Sequence, residues 1–339
     1  MKLTKLTITF LSAFFCLVVA CGSDGGDGDI TPQIPGVTDP EDSDEPDVSP
    51  VAKVPTLLKD VQSEWKIDSI DDGFIYYNYE RYDDVSNANQ IINVLEVDLT
   101  SNKYNVQFTW HPSGDTLSHA AQLRGAIGGI NGGYEPEAIY VRVNGSNLSE
   151  VTLPEGHLRY WKHDGAIYSD GKSDVGIMYG GPDGKVAIDR YKQHPAKFLL
   201  ASAPTLIDNY KPLGETFAGD YTAEEIAKFD YEDYRNHQGV RHPRTVVALT
   251  EDKDLLLITI DGRWPGKSEG MNAKEVTLFL KKHFNPQYAL NMDGGGSTTM
   301  YVKGKGAAKT DVVNYPTDNG VFNHYGQRKV GTHIIVNKK

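Results

Sequence analysis

The chain has 339 residues, 39% of them hydrophobic and 19 of them tyrosine, enough for one large domain or two ordinary ones with a sizeable core. Its formal net charge of −12 argues against a nucleic-acid partner, which would favour a basic face. Much of that charge falls outside the prospective domain, because nine Asp or Glu residues and no Lys or Arg lie between Asp24 and Asp47.

The N-terminus reads as an export signal. Lys2 and Lys5 are followed by a nearly all-apolar run, Leu6 to Ala20. That run is too short for a comfortable membrane span, so residues 1–20 are expected to be a cleaved signal peptide. Val18-Val19-Ala20-Cys21 resembles the lipobox of bacterial lipoproteins. The resemblance implies cleavage before Cys21, a lipid on its thiol and anchoring in the outer membrane of a Gram-negative bacterium, on the periplasmic side or at the cell surface. The other cysteine, Cys16, lies inside the removed segment, leaving none for a disulfide, a metal or a nucleophile. Residues 21–55 are rich in Asp, Glu, Gly, Pro and Ser and read as a disordered acidic tether. Their aspartates do not follow the spacing of a calcium-binding EF-hand loop.

Residues 56–339 read as one globular domain. Phe74 to Tyr79, Ile91 to Leu99 and Val106 to Trp110 have the β-branched and aromatic richness of strands. Further strands are expected at Ala138 to Val143, Val175 to Tyr179, Phe198 to Ala201, Arg244 to Leu249, Leu255 to Ile260, Tyr288 to Met292, Thr299 to Val302 and Gly331 to Val336. Helices are fewer. Thr222 with Glu225 forms a capping-box pattern opening a short helix through Phe229. Asn272 with Glu275 opens a second, in which Val276, Leu280 and Phe284 recur at helical spacing. Strands outnumber helices without βαβ alternation, so the fold class is α+β: a single mixed domain with a twisted β-sheet core and a few flanking helices.

The most unusual stretch is Asp293-Gly294-Gly295-Gly296-Ser297-Thr298, which follows a short apolar strand. Consecutive glycines expose backbone N–H groups, and such a nest binds anions. It is not a Walker loop, since no Gly-Lys-Ser/Thr follows, and Ser297 lacks the glycine that a serine-hydrolase elbow requires two positions on. On spacing alone it reads equally as a hairpin loop. Three other stretches add to it: Asn131-Gly132-Gly133-Tyr134 at a turn, His242-Pro243-Arg244-Thr245 at the start of a strand, and Asp261-Gly262-Arg263 at the end of the next. Asn314-Tyr315-Pro316-Thr317-Asp318 and Arg328 supply a carboxylate and a further cation near the C-terminus. Arginine is the side chain best shaped to grip a phosphate.

The order and spelling of these motifs resemble the phosphodiester glycosidase family, over about Asn131 to Val330. Two departures, Ala203-Pro204 in place of the usual Gly-Pro and an enlarged segment from Asn209 to Val240, bear on the pocket rim and the sugar preference. The resemblance implies hydrolysis of a sugar-1-phosphodiester into the sugar and a phosphomonoester. On that reading Arg244, Arg263 and Arg328 grip the phosphate, helped by the backbone of Gly294, Gly295 and Gly296. Asp293 is the carboxylate at the anomeric centre, with Asp261 or Asp318 as its partner. Asn131, Gly132, Thr245, Ser297, Thr298 and Asn314 surround the sugar hydroxyls or the phosphate.

No cofactor is implied. His111, His119, His157, His163 and His194 lack metal-ligand spacing, although a divalent cation bridging Asp293 and Asp318 remains open. Trp110, Trp161 and Trp264 read first as core residues, with Trp264 the best placed as a sugar platform, since it follows Asp261-Gly262-Arg263 directly. The expected partners are a carbohydrate or phosphoglycan substrate and, through Cys21, a membrane. Two alternatives stand beside the enzyme: a non-catalytic phosphoglycan-binding lipoprotein, and a glycosidase acting on ordinary glycosidic bonds.

Overall fold

A computed structural model describes residues 55–339. The signal peptide, Cys21 and the acidic tether lie outside the described residues, apart from Pro55.

Largely apolar strands build the largest sheet. Its order is Lys66–Asp71, Phe74–Asp83, Ala88–Asp98, Asp254–Ile260, Arg244–Leu249, Tyr288–Asn291, Thr205–Asp208 and Lys211–Pro212, every neighbour antiparallel. Successive side chains of a strand face opposite ways, and here both faces are covered. Leu95, Val97, Val247, Leu255, Leu257 and Leu290 point into a core shared with two smaller sheets. Val94, Val246, Ala248, Leu256, Ile258 and Ala289 point the other way, onto Val276, Phe279 and Leu280 of the helix Ala273–His283. Antiparallel strands more often have one wet face, and this double burial is why their sequences run almost continuously apolar.

The smaller sheets are antiparallel as well. One orders Met300–Val302, Gly128–Asn131, Val330–Lys338 and Tyr104–Asp115, and the other Ser146–Ser149, Val141–Val143, Phe198–Ser202, Gly165–Ser169 and Val175–Tyr179. Close packing between sheets sets the composition of Gly128–Asn131. A Cβ on Gly128 would lie 2.8 Å from both Leu95 and Phe74. The architecture is the α+β domain expected.

Elements differ from expectation mainly at their ends. The strand expected from Ala138 is a 3₁₀ turn, Pro136–Ala138, followed by a strand only at Val141–Val143. The helix opened by Thr222 is genuinely boxed but covers only Ala223–Ile226. Gly165–Ser169, Gly184–Gln193 and Tyr234–Gly239 are elements that the apolar pattern did not signal, the first because three of its five residues are small. The helix Ala273–His283 is capped reciprocally, Asn272 accepting from the Glu275 N–H and Glu275 from the Asn272 N–H. Replacing Asn272 with Ala removes this cap, and urea denaturation should show a loss of about 1 kcal/mol with an unchanged slope.

Candidate active site

Several chain segments meet at one end of the domain, and one buried amide fastens them. Asn131 ends Gly128–Asn131 and is 1% exposed. Its Nδ2 donates to the backbone carbonyl of Asp293 at 2.7 Å. Its Oδ1 accepts from Thr245 Oγ1 at 2.7 Å and from the Thr299 N–H at 3.1 Å. The Asp293 N–H donates to the Gly132 carbonyl, and the Gly133 N–H to Thr332 Oγ1. The backbone of Asp293 is thereby held from both sides.

The Asp293 carboxyl faces a cavity of about 550 Å³ that the triglycine run helps to line. Burial pushes its pKa up to about 6, held back by the Ser297 hydroxyl and by Lys162. The three glycines have three separate causes. A Cβ on Gly294 would lie 2.7 Å from the Pro243 carbonyl; Gly295 adopts φ +58°; and a Cβ on Gly296 would lie 2.2 Å from both Arg328 Nη2 and Asp318 Oδ1. The Gly295 N–H donates to the Pro243 carbonyl, whereas those of Gly294 and Gly296 have no partner among the described residues.

The arginines divide into one inside and two at the cavity. Arg263 is exposed, lines the cavity, and its Nη2 would lie 3.1 Å from a Cβ on Gly295. It has no carboxylate partner among the described residues. Arg328 also lines the cavity, but Asp318 holds its fork, with Nε–Oδ2 at 2.9 Å and Nη2–Oδ1 at 2.6 Å. Arg244 is different. It is 1% exposed and donates to Met271 O, Gln238 Oε1, His237 O and Val240 O at 2.8–3.1 Å. Four of its five donors are so engaged. Although it borders the cavity, it serves as an internal clamp and cannot present a bidentate fork to a phosphate.

Other expected site residues are structural too. Asp261 is 1% exposed and does not line the cavity. It accepts from Asn314 Nδ2 at 3.0 Å and from the Tyr315 N–H, while burial pushes its pKa up to about 7. Asn314 is wholly buried and also bonds Met300 N and Thr298 O. Thr245 and Thr298 are buried beside Asn131, and a Cβ on Gly132 would lie 2.3 Å from Thr332 Oγ1. These residues hold the site in shape without reaching a substrate. Both oxygens of Asp318 accept from Arg328, so Asp318 is a latch on that arginine, not a carboxylate partner for Asp293. No group of three His, Cys, Asp or Glu among the described residues is arranged to hold a metal ion. Trp264 donates to the Tyr315 carbonyl at 3.0 Å and packs on Phe322, fixing a loop.

The sequence reading missed the opposite wall. Lys162, 2% exposed, contacts Glu135 and Glu232 at 2.8 Å each and sits 4.8 Å above the Tyr134 ring. Burial alone would raise the Glu135 pKa, but Lys162 and Arg159 bring it below the usual value. Asp293 and Glu135 are therefore two carboxyls of one cavity whose environments push them apart, a pattern that marks proton-transfer sites. His242 also lines the cavity; burial, with Arg244 and Arg263 beside it, lowers its pKa to about 3 and keeps the ring neutral. Glu135 directly follows the Asn131 to Tyr134 motif, the one signal that pointed to it.

Removing the Arg244 clamp strands three buried acceptors and one part-buried one, so Arg244→Ala should lower stability by about 3–5 kcal/mol in chemical denaturation. Asp261 controls a pH effect. Below about pH 4 folded and unfolded chains both hold its proton, and between there and about pH 7 only the folded chain does. Its contribution to stability is thus full below the unfolded pKa and fades as pH rises through 7. The melting temperature of Asp261→Asn should fall less than that of the wild type between pH 5 and pH 8.

The profile of the phosphodiester glycosidase family matches residues 124–337. No curated protein matches the sequence. Among solved structures, the catalytic domain of zebrafish N-acetylglucosamine-1-phosphodiester alpha-N-acetylglucosaminidase, auto-inhibited by its pro-peptide, superposes with TM-score 0.53 at 18% identity, covering 81% of this chain and 84% of that one. A protein of Burkholderia pseudomallei described as exported gives 0.52 at 15%, covering 74% of each chain. A protein from Synechocystis gives 0.50 at 13%, covering 81% of this chain and 64% of that one. At these identities the likeness is one of fold. The family match spans well over half of the sequence, and the chain belongs to the phosphodiester glycosidase family.

Proposed function

We propose that this member of the phosphodiester glycosidase family hydrolyses a sugar-1-phosphodiester of a glycan, releasing the sugar and a phosphomonoester. One observation carries the reading: a half-buried carboxyl, Asp293, shares a cavity with Arg263 and with a bare triglycine turn. Among the described residues Arg263 has no carboxylate partner and its only hydrogen-bond contact is His242. A phosphomonoester leaves more readily than an alcohol, so the reaction leans on charge stabilisation more than on a general acid. Arg263 and the N–H groups of Gly294 and Gly296 receive the phosphate. Arg328 joins them when Asp318 yields its fork to the incoming oxygens, an exchange of one oxyanion for another. Ionised Asp293 faces the anomeric carbon, where it stabilises positive charge or takes a proton from water. Glu135, held by Lys162, keeps a fixed negative charge on the other wall. Lipid attachment at Cys21 and residence at the outer membrane belong to the same proposal; they rest on the spelling of residues 18–21, and metabolic labelling with a fatty acid tests them through Cys21→Ala.

The enzymatic test uses a nitrophenyl phosphodiester of a single sugar. With Asp293 needed ionised, kcat/KM should rise with pH through about 6 and then level. Asp293→Asn should lose about 10²–10⁴-fold and with it the acid limb. Unchanged turnover in Asp293→Asn would refute the assignment.

A further inference from the structure

A second cavity, of about 490 Å³, lies behind one wall of the first. Trp161 lines the second cavity and stands directly behind residues that line the first. Its indole packs edge-on against Tyr134 at 5.7 Å and lies 5.4 Å from His237, both of which line the first cavity. Its Nε1 donates to the backbone carbonyl of Glu232, whose residue also lines that cavity. From the other side Trp161 lines the second cavity together with Phe217, 6.0 Å away, and Tyr234, which packs edge-on against Phe217 at 5.5 Å.

The lining combines aromatic side chains with polar ones. Asp164 contributes a carboxyl whose Oδ2 accepts from the Thr205 N–H at 2.6 Å, and burial pushes its pKa up to about 6. His163 and Thr205, 2% and 1% exposed, also line it. His163 Nδ1 and Thr205 Oγ1 make no hydrogen bond of good geometry among the described residues, with the Asp164 carboxyl beside the Thr205 hydroxyl and the Ala138 backbone beside the His163 ring. Buried polar groups left open in this way are exceptions that call for an explanation. No Lys or Arg lines the cavity, which sets it apart from the first. Phe217 and Tyr234 both come from the enlarged segment, Asn209 to Val240.

From this geometry we infer that the second cavity is a subsite for an uncharged pyranose ring. The ring's C–H face lies against the aromatic side chains, and its hydroxyls meet Asp164, Thr205 and His163. Because Trp161 lines the second cavity and stands directly behind residues of the first, the substrate is an extended glycan carrying at least one neutral sugar beyond the unit attached to phosphate. The statement about substrate length rests on the phosphodiester reading; sugar binding does not.

Isothermal titration calorimetry on the mature chain carrying Asp293→Asn tests it, with maltotetraose, cellotetraose, chitotetraose and mannotetraose as probes. At least one should bind, and Tyr234→Ala should weaken it about tenfold through loss of an aromatic face. Tyr234 is 39% exposed, so its truncation leaves the core intact. Thr216→Trp, at an exposed position on the cavity lining, should block binding by filling it. Absence of heat with all four sugars, or equal affinity in both variants, overturns the inference. So does tighter binding of a peptide spanning residues 22–55, which would give the cavity to the chain's own tether. Turnover of the single-sugar diester is read separately, so failure of the reaction and failure of the subsite are distinguishable.

Discussion

The site depends on the side chain of Asn131. A primary amide carries acceptor and donor on one rigid plane, and here both are used inside the protein. The acceptor ties Thr245, at the start of one strand of the large sheet, to the Thr299 N–H beyond the triglycine turn. The donor holds the carbonyl of Asp293. Asn131, Thr245 and Thr299 are buried and Asp293 is half-buried, so these bonds lie in a medium where leaving them unmade is expensive. Two sheets are brought into register at the residue whose carboxyl faces the cavity.

Around that fastening, charges fall into two populations. Arg244, Asp261 and Asn314 sit within the protein and hold loops together, their polar groups largely engaged by backbone and side chains. Arg263, Arg328, Lys162, Glu135 and Asp293 face the cavity. The inner set fixes where the outer set stands. Asp261 anchors Asn314 and Tyr315, just ahead of the loop from which Asp318 latches Arg328. Arg244 braces the carbonyls at His237 and Val240, at the end of the enlarged segment. Burying the scaffold is what holds these charges in fixed positions around the cavity.

The enlarged segment links the two cavities. It supplies Tyr231, Glu232 and His237 to the first and Phe217 and Tyr234 to the second. A segment of short helices over the sheet ends can vary in length without disturbing the strands beneath it.

Strands such as Arg244–Leu249 and Asp254–Ile260 were legible in the sequence because burial on both faces demands unbroken apolar runs. The capping box at Asn272 was legible because local backbone geometry dictates local spelling. Of the glycines after Asp293 only Gly295 is set by its own φ, Gly294 and Gly296 being required by Pro243, Arg328 and Asp318 packed against them. The motifs also identified the neighbourhood of the site. What they could not reveal is which polar residues face inward and which face the cavity, since Arg244 and Arg263 read alike until the sheets are assembled. Lys162 and Glu135, whose numbers differ by 27, become partners only in the fold, and Trp161 comes to line the second cavity only when the segment after Asn209 packs against it. The sequence by itself determined the class of fold and the motifs that converge on the first cavity, because periodicity and turn chemistry are local. Tertiary structure alone decided the division of labour among its charges, because burial and partnership depend on residues far apart in the chain.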